Sequence, residues 1–161
     1  MKKLLTLCLV CRDNEILLGM KKRGFGEGRW NGFGGKVETG ETIETAAIRE
    51  LGEEAGLVPK SIEKVGVIDF TFQSDPKVLE VSVFRVTDFV GEPVETEEMR
   101  PRWFKITEIP YSQMWKDDEV WLPLLLQGKK FRASFVFDKP ASSDYAGKII
   151  SQSLKEVDSL W

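Results

Sequence analysis

The segment RELGEEAGL, Arg49–Leu57, crowds Glu50, Glu53 and Glu54 together just ahead of Gly56, the expected stop of a helix. The C-terminal end of a helix carries partial negative charge, and an exposed carboxylate there is disfavoured by about 0.3–1 kcal/mol. Glu50 and Glu54 stand at i and i+4 and project together, with Glu53 beside them. Arg49 precedes Glu53 by four and can pair with it, but one guanidinium does not neutralise three acids. Carboxylates held close and ionised call for a cation, and oxygen ligands suit a hard divalent ion such as Mg²⁺. A solvated acidic face is the plainer reading of three glutamates taken alone. Their neighbours argue for more. Gly34 and Gly35 let backbone approach a ligand closely, and Glu41 stands just ahead of the helix, where negative charge suits the dipole.

From Gly35, five residues lead to Glu41 and seven more to Arg49, so GKVETGETIETAAIRELGEEAGL fits GX5EX7REUXEEXGU at every defined position, U being a bulky aliphatic. That pattern is the Nudix box, and the chain resembles the Nudix family. The resemblance implies an α/β fold, a mixed β-sheet sandwiched between α-helices, in one domain spanning 1–161. It implies hydrolysis of a nucleoside diphosphate linked to another group, with Mg²⁺ or Mn²⁺ as cofactor. Carried over position by position, Glu50, Glu53 and Glu54 are the implied metal ligands, Gly35 lends backbone to the metal site, and Arg49 orients the glutamates. Glu41 is structural, and the remote Glu98 is a further candidate for metal binding and catalysis. An ion in such a site neutralises phosphate oxygens and acidifies a water. In-line attack then needs mainly positioning and electrostatics. A carboxylate takes the water's proton, and Glu50, Glu53 and Glu98 all stay open as that base.

The likeness runs beyond the box. LLGMKKRGFGEGRWNGFGGKV, EMRPRWF, IPYSQMWKDDEVWLPLLLQ and KFRASFVF are similar to the eukaryotic MutT homologues of that family, which hydrolyse oxidised purine nucleoside triphosphates, notably 8-oxo-dGTP. The similarity covers Leu5 to Phe137 and fades after Asp138. The residues fit such a substrate on their own terms. Asn31 offers a donor and an acceptor to a purine edge. Asp117 and Asp118 stand between Trp115 and Trp121, so a base can stack on an indole and hydrogen-bond to carboxyls. Two adjacent acids near apolar rings invite a raised pKa in one, and a protonated carboxyl donates where an ionised one only accepts. The same DDEVW reads as a helix start, with one aspartate as N-cap, and both tryptophans read equally well as core. By the resemblance, Thr6, Phe25, Phe70 and Leu79 also line the base pocket, Leu79 standing where vertebrate members carry Met. Lys21 is placed to meet the triphosphate, while Lys22 and Arg23 read as solvated.

The expected reaction is therefore metal-dependent hydrolysis of 8-oxo-dGTP, with 2-oxo-dATP as a second substrate, to monophosphate and pyrophosphate, which cleanses the nucleotide pool. The alternatives are a Nudix hydrolase of methylated purine nucleotides, ADP-ribose, dinucleoside polyphosphates or capped RNA ends, and a non-catalytic nucleotide-binding module. A binding module has no need of an intact box.

Positioning these side chains falls to elements that the pattern suggests. LLTLCLVC and EILLGMKKR, parted by RDN, read as a hairpin, and a glycine-rich segment follows. Thr42 to Ala55 reads as a helix whose apolar stripe is Ile48, Leu51 and Ala55. KVGVIDFTF and KVLEVSVFRV read as strands joined by the loop QSDP. GEPVETEEMRP reads as an acidic loop, RWFKI as a short strand, DDEVWLPLLLQ as a helix with Pro123 in its first turns, and KFRASFVFD as a strand. DYAGKIISQSLKEV suits strand or helix.

Composition narrows the field. A chain of 161 residues with net charge -3 suits one soluble domain and argues against a general nucleic-acid binder. The absence of His excludes His-based triads and bases. Cys8 and Cys11, three apart in a strand, point to opposite faces and do not suit a disulfide. No stretch is long enough to span a membrane, and MKKLLTLCLVC lacks the cleavage site of a secretory signal. The expectation is a cytoplasmic monomer, serving nuclear or mitochondrial pools as well, whose partner is a small-molecule nucleotide rather than a nucleic-acid polymer or a membrane.

Overall fold

The structure, a computed structural model, describes residues 1–140 and 147–160. The first two apolar runs form the hairpin β1 (Lys2–Arg12) and β2 (Glu15–Lys21), with Val10 opposite Leu17 and Asp13 at φ 50 in the turn. After the short β3 (Trp30–Asn31) comes α1 (Ile43–Ala55). The strands β4 (Val58–Phe72) and β5 (Asp75–Val90) form a long hairpin, and β6 (Met99–Lys105) follows. A 3-10 turn at Tyr111–Gln113 leads into α2 (Asp118–Leu126), then β7 (Lys130–Phe137) and β8 (Ile149–Val157).

One mixed sheet runs β3-β2-β1-β5-β4-β7-β8, with β6 also paired to β2. The β1–β5 and β4–β7 pairs are parallel and the rest antiparallel. Alternation along the strands splits the core in two. Cys8, Val10, Phe84 and Val86 face α1 on one side, whereas Leu9, Ile68, Phe131 and Phe135 face α2 on the other. Cys8 and Cys11 accordingly belong to different faces, and both are free thiols.

Helix α1 is fixed at both ends by its own residues. Thr42 accepts the Thr45 N–H as N-cap, and Gly56 ends the helix in the left-handed region at φ 71. Its buried stripe is Ala46, Ala47, Leu51 and Ala55. Ile48, expected inside, is 37% exposed, because Ala47, Leu51 and Ala55 repeat at four-residue spacing and turn it off the sheet. The alanines let α1 lie close, with Cys8 Sγ 3.6 Å from the Ala47 carbonyl oxygen. Burial of Leu51 alone contributes about 1.5–3 kcal/mol.

Other expectations shift at their edges. The QSDP loop shortens to a turn at Gln73–Ser74, with Ser74 at φ 66, because Asp75 already pairs with Phe72. Pro123 sits inside α2, beyond its first turn. Ile149–Val157 is a strand paired with β7, which settles that part of the tail, while residues 144–146 of it lie outside the described residues. Among the described residues no helix is long and apolar enough to cross a membrane.

Candidate active site

A cavity of about 490 Å³ opens on the α2 side of the sheet. Leu5 and Leu7 of β1, Phe70 and Phe72 of β4, and Leu79 and Val81 of β5 line it through the two-residue alternation of their strands. Thr6, Lys21, Phe25, Asn31, Gly35, Glu54, Trp115, Asp117, Asp118 and Trp121, all expected at the site, reach the same cavity. Glu50, Glu98 and Arg49 do not line it but touch residues that do, namely Gly35, Lys21 and Lys36, whereas Glu53 is one step further out, against Arg49.

Helix α1 presents the glutamates in three different environments. Glu54 accepts the Gly34 N–H at 2.8 Å and is pushed up to about 7, mainly by burial, with Glu50 adding to it. Glu50 is raised too, again mainly by burial, against the pull of Arg49. Glu53 is the exposed one, with its side chain 59% accessible. Arg49 explains the grouping. Its Nε and Nη2 grip both oxygens of Glu41 at 2.7 and 3.0 Å, and its Nη1 donates to Glu50 at 2.9 Å and reaches Glu53 at 3.4 Å. The guanidinium holds the Glu41 carboxyl down at about 2. Glu41 thus has both oxygens committed to fastening the loop onto the helix.

Gly35 packs so tightly against this cluster that a Cβ there would lie 2.6 Å from Glu50 Oε1. Its carbonyl accepts the Thr6 N–H at 2.9 Å, and the Thr6 hydroxyl lies 3.4 Å from the same oxygen. A Cβ on Gly34 would collide with the Thr6 carbonyl. The two glycines therefore let the loop cross β1 and bring backbone to the carboxylates.

Glu98 comes from the acidic loop, which is stapled to the end of β2. Lys21 Nζ lies 3.3 Å from Glu98, Lys22 Nζ 2.6 Å from Glu95, and Arg23 Nη2 3.3 Å from Glu97. Lys22 and Arg23, expected to be solvated, are exposed, and from the surface they also carry these ion pairs. The loop folds back antiparallel to β2's end, with the Lys22 N–H bonded to the Glu98 carbonyl at 2.7 Å, so each cation meets an acid.

At the other part of the cavity, Asp117 and Asp118 are only 4% and 3% exposed. Asp117 Oδ2 accepts the Trp121 indole N–H at 2.9 Å, whereas Asp118 Oδ2 is buried with no partner. Burial raises both, Asp118 well above the ordinary range, with Asp117 beside it adding to the push. Asp118, the more strongly raised of the two, is the carboxyl set to keep a proton, and a protonated carboxyl donates. Neither caps α2 through its side chain, since Asp117 makes no cap hydrogen bond and spends its carboxylate on Trp121. Trp121, 1% exposed and stacked on Phe131 at 5.6 Å, is core that also fixes Asp117. Trp115 is clasped by the glycine loop, with Phe25 stacked on it at 5.2 Å and the Arg29 guanidinium 4.4 Å over its ring. Asn31 Oδ1 accepts the Gly32 N–H at 2.8 Å.

With the site assembled, the comparisons with known proteins bear on it directly. Residues 1–125 match the NUDIX domain. The chain belongs to the NUDIX family. It is 52% identical over 158 residues to an oxidized purine nucleoside triphosphate hydrolase of Danio rerio, covering 98% of this chain and 97% of that one. The protein of the same description from Mus musculus is 52% identical over 157 residues, with the same coverage. Among solved structures, a MutT protein from Bacillus halodurans superposes with TM-score 0.78 at 25% identity, covering 94% of this chain and 97% of that one.

NUDIX hydrolases use divalent metal ions, and the donors here suit one: all are oxygens, Glu54 lies beside Glu50, and Gly35 leaves Glu50 the room that a side chain would take. Among the described residues no three acidic or thiol side chains converge on one point. Arg49 draws Glu50 and Glu53 to itself, and Glu54 is turned to Gly34.

Reading the strands alone missed Phe72, Val81, Met99 and Phe137 in the lining. The signal for two of them was present, since Phe72 follows Phe70 and Val81 follows Leu79 at the spacing that keeps side chains on one face.

Proposed function

We propose that this NUDIX hydrolase cleaves oxidised purine nucleoside triphosphates, 8-oxo-dGTP foremost and 2-oxo-dATP second, to the monophosphate and pyrophosphate, with Mg²⁺ as its ion, and so cleanses the nucleotide pool. The observation that carries the reading is the buried Asp117–Asp118 pair in a cavity that also reaches Glu54 and Gly35. A carboxyl donor beside a carboxylate acceptor matches a purine edge altered by oxidation, and Asn31 adds its amide. The relatives at 52% identity, whose described activity is on oxidized purine nucleoside triphosphates, support the same substrate class.

In this reading Glu50, Glu53, Glu54 and Glu98, together with the Gly35 backbone, would hold the ion, which when bound would supply positive charge to offset that of the phosphate oxygens. Arg49 fixes the orientation of Glu50 and Glu53. Thr6 and Gly34 hold the loop that brings the phosphates to them, and Lys21 meets the phosphate chain. Phe25, Trp115, Phe70 and Leu79 enclose the base. Glu50, Glu53 or Glu98 would accept the proton of the attacking water as its oxygen bonds to phosphorus and the bridging phosphorus–oxygen bond breaks, leaving the monophosphate and pyrophosphate.

A pyrophosphate-release assay across 8-oxo-dGTP, 2-oxo-dATP, dGTP and ADP-ribose tests this. The oxidised triphosphates should turn over fastest. Preference for ADP-ribose would point to another NUDIX activity, and binding without turnover to a nucleotide-binding module.

A further inference from the structure

Three lysines gather at one rim of the cavity, on adjoining strands. Lys3 of β1 stands opposite Leu79 of β5, Lys77 lies two residues before Leu79, and Lys36 bridges to Leu5, two residues after Lys3. Leu5 and Leu79 both line the cavity, so the alternation of their strands puts Lys3 and Lys77 on that face, and Lys36 lines the cavity itself. Lys36 also follows Gly35, the residue that meets Glu50.

The trio carries the same signature as the glutamates: like charges held together without a neutraliser. Lys36 is close enough to Lys3 to push its ammonium below the usual range, with Lys77 adding to the effect. None of the three is in an ion pair among the described residues. The neighbouring acids are engaged elsewhere. Glu80 pairs with Lys2 at 3.1 Å, Asp75 Oδ1 accepts the Lys77 backbone N–H at 2.9 Å, and Glu38 lies 3.9 Å from Arg49. In a chain of net charge -3, a cation cluster of this kind is a local reversal of the overall field.

We infer that Lys3, Lys36 and Lys77 form a landing site for a chain of phosphates, taking the phosphate groups of the substrate farthest from the sugar. The inference deepens the proposed function and rests on it for the identity of the substrate. The base sits by Asp117 and Asp118, the phosphate next to the sugar by Gly35 and the glutamates, and the distal phosphates run out past Lys36 to Lys3 and Lys77. The site thereby favours triphosphates over monophosphates of the same nucleoside.

Inorganic tripolyphosphate is the probe, titrated by calorimetry at low salt with Mg²⁺ into the wild-type chain, Lys3→Gln/Lys77→Gln and Lys3→Arg/Lys77→Arg. The glutamine pair should weaken binding by about tenfold and flatten its salt dependence, while the arginine pair restores both. Affinity for the nucleoside monophosphate should stay the same in all three. Equal tripolyphosphate affinity in wild type and the glutamine pair, or an equal loss for the monophosphate, overturns the site, as does a wild type that binds no tripolyphosphate. If the glutamine pair loses affinity while the wild type hydrolyses no oxidised nucleotide, the phosphate site stands and the proposed reaction falls.

Discussion

The half-buried Glu54 and the buried Asp118 are carboxyls lining one cavity, and their neighbours differ. Glu54 has a backbone N–H and a second carboxylate beside it, and the proposed function puts a cation there. Asp118 has an unpartnered oxygen in an apolar wall, a setting for a proton. The consequence for stability has a definite sign. A carboxyl raised in the folded state contributes most below its unfolded value of about 3.9, and that contribution is lost as pH climbs toward the folded value. Asp118→Asn removes the loss. Its thermal midpoint should gain on the wild type steadily from pH 4 to pH 8, with its preference among oxidised bases altered. A constant difference across that range would show that Asp118 is ionised in the folded chain. Gly35 gives a second test at this scale. Gly35→Ala forces Glu50 aside and should lower kcat by about 10²-fold, as misplacement near 1 Å does, with little change in unfolding midpoint. The spacing of the glutamates and of the aspartate pair was legible in the sequence because both are local patterns. The Lys22–Glu95 pair was not, since its partners lie 73 residues apart.

At the scale of elements, the acidic loop and the end of β2 act as one unit. Three exposed ion pairs and the Lys22–Glu98 backbone bond hold Glu98 next to Lys21. Exposed pairs add little to stability, so their service is to place the loop. Lys22→Ala/Arg23→Ala should therefore leave the unfolding midpoint nearly unchanged and raise KM for the nucleotide, and Lys22→Glu paired with Glu95→Lys should restore it. A parallel fall in midpoint and activity would make the pairs structural only. Helix α1 was readable end to end because Thr42 and Gly56 announce its caps. Its buried face was misjudged at Ile48, because small alanines rather than the large aliphatic let the helix approach the sheet.

Across the whole molecule, the site exists because parallel pairing brings distant segments together. β1 sits against β5, and β4 against β7, so Thr6, Leu79, Phe70 and Phe137 share one cavity. Most strands were legible in the sequence, though not the short β3 and with β8 left between strand and helix; their order was not, since parallel partners have no connecting turn to mark them. The two core clusters, one under each helix, give the cavity a rigid floor between the glutamates of α1 and the aspartates at the start of α2. The central claim is that this arrangement selects an oxidised purine triphosphate. Its most direct test is competition: 8-oxo-dGTP and dGTP at equal concentration, with Mg²⁺, followed by chromatography of the two monophosphates. The account predicts that 8-oxo-dGMP appears first, with kcat/KM at least about tenfold higher, a margin of about 1.4 kcal/mol. Equal rates for the two nucleotides would contradict it.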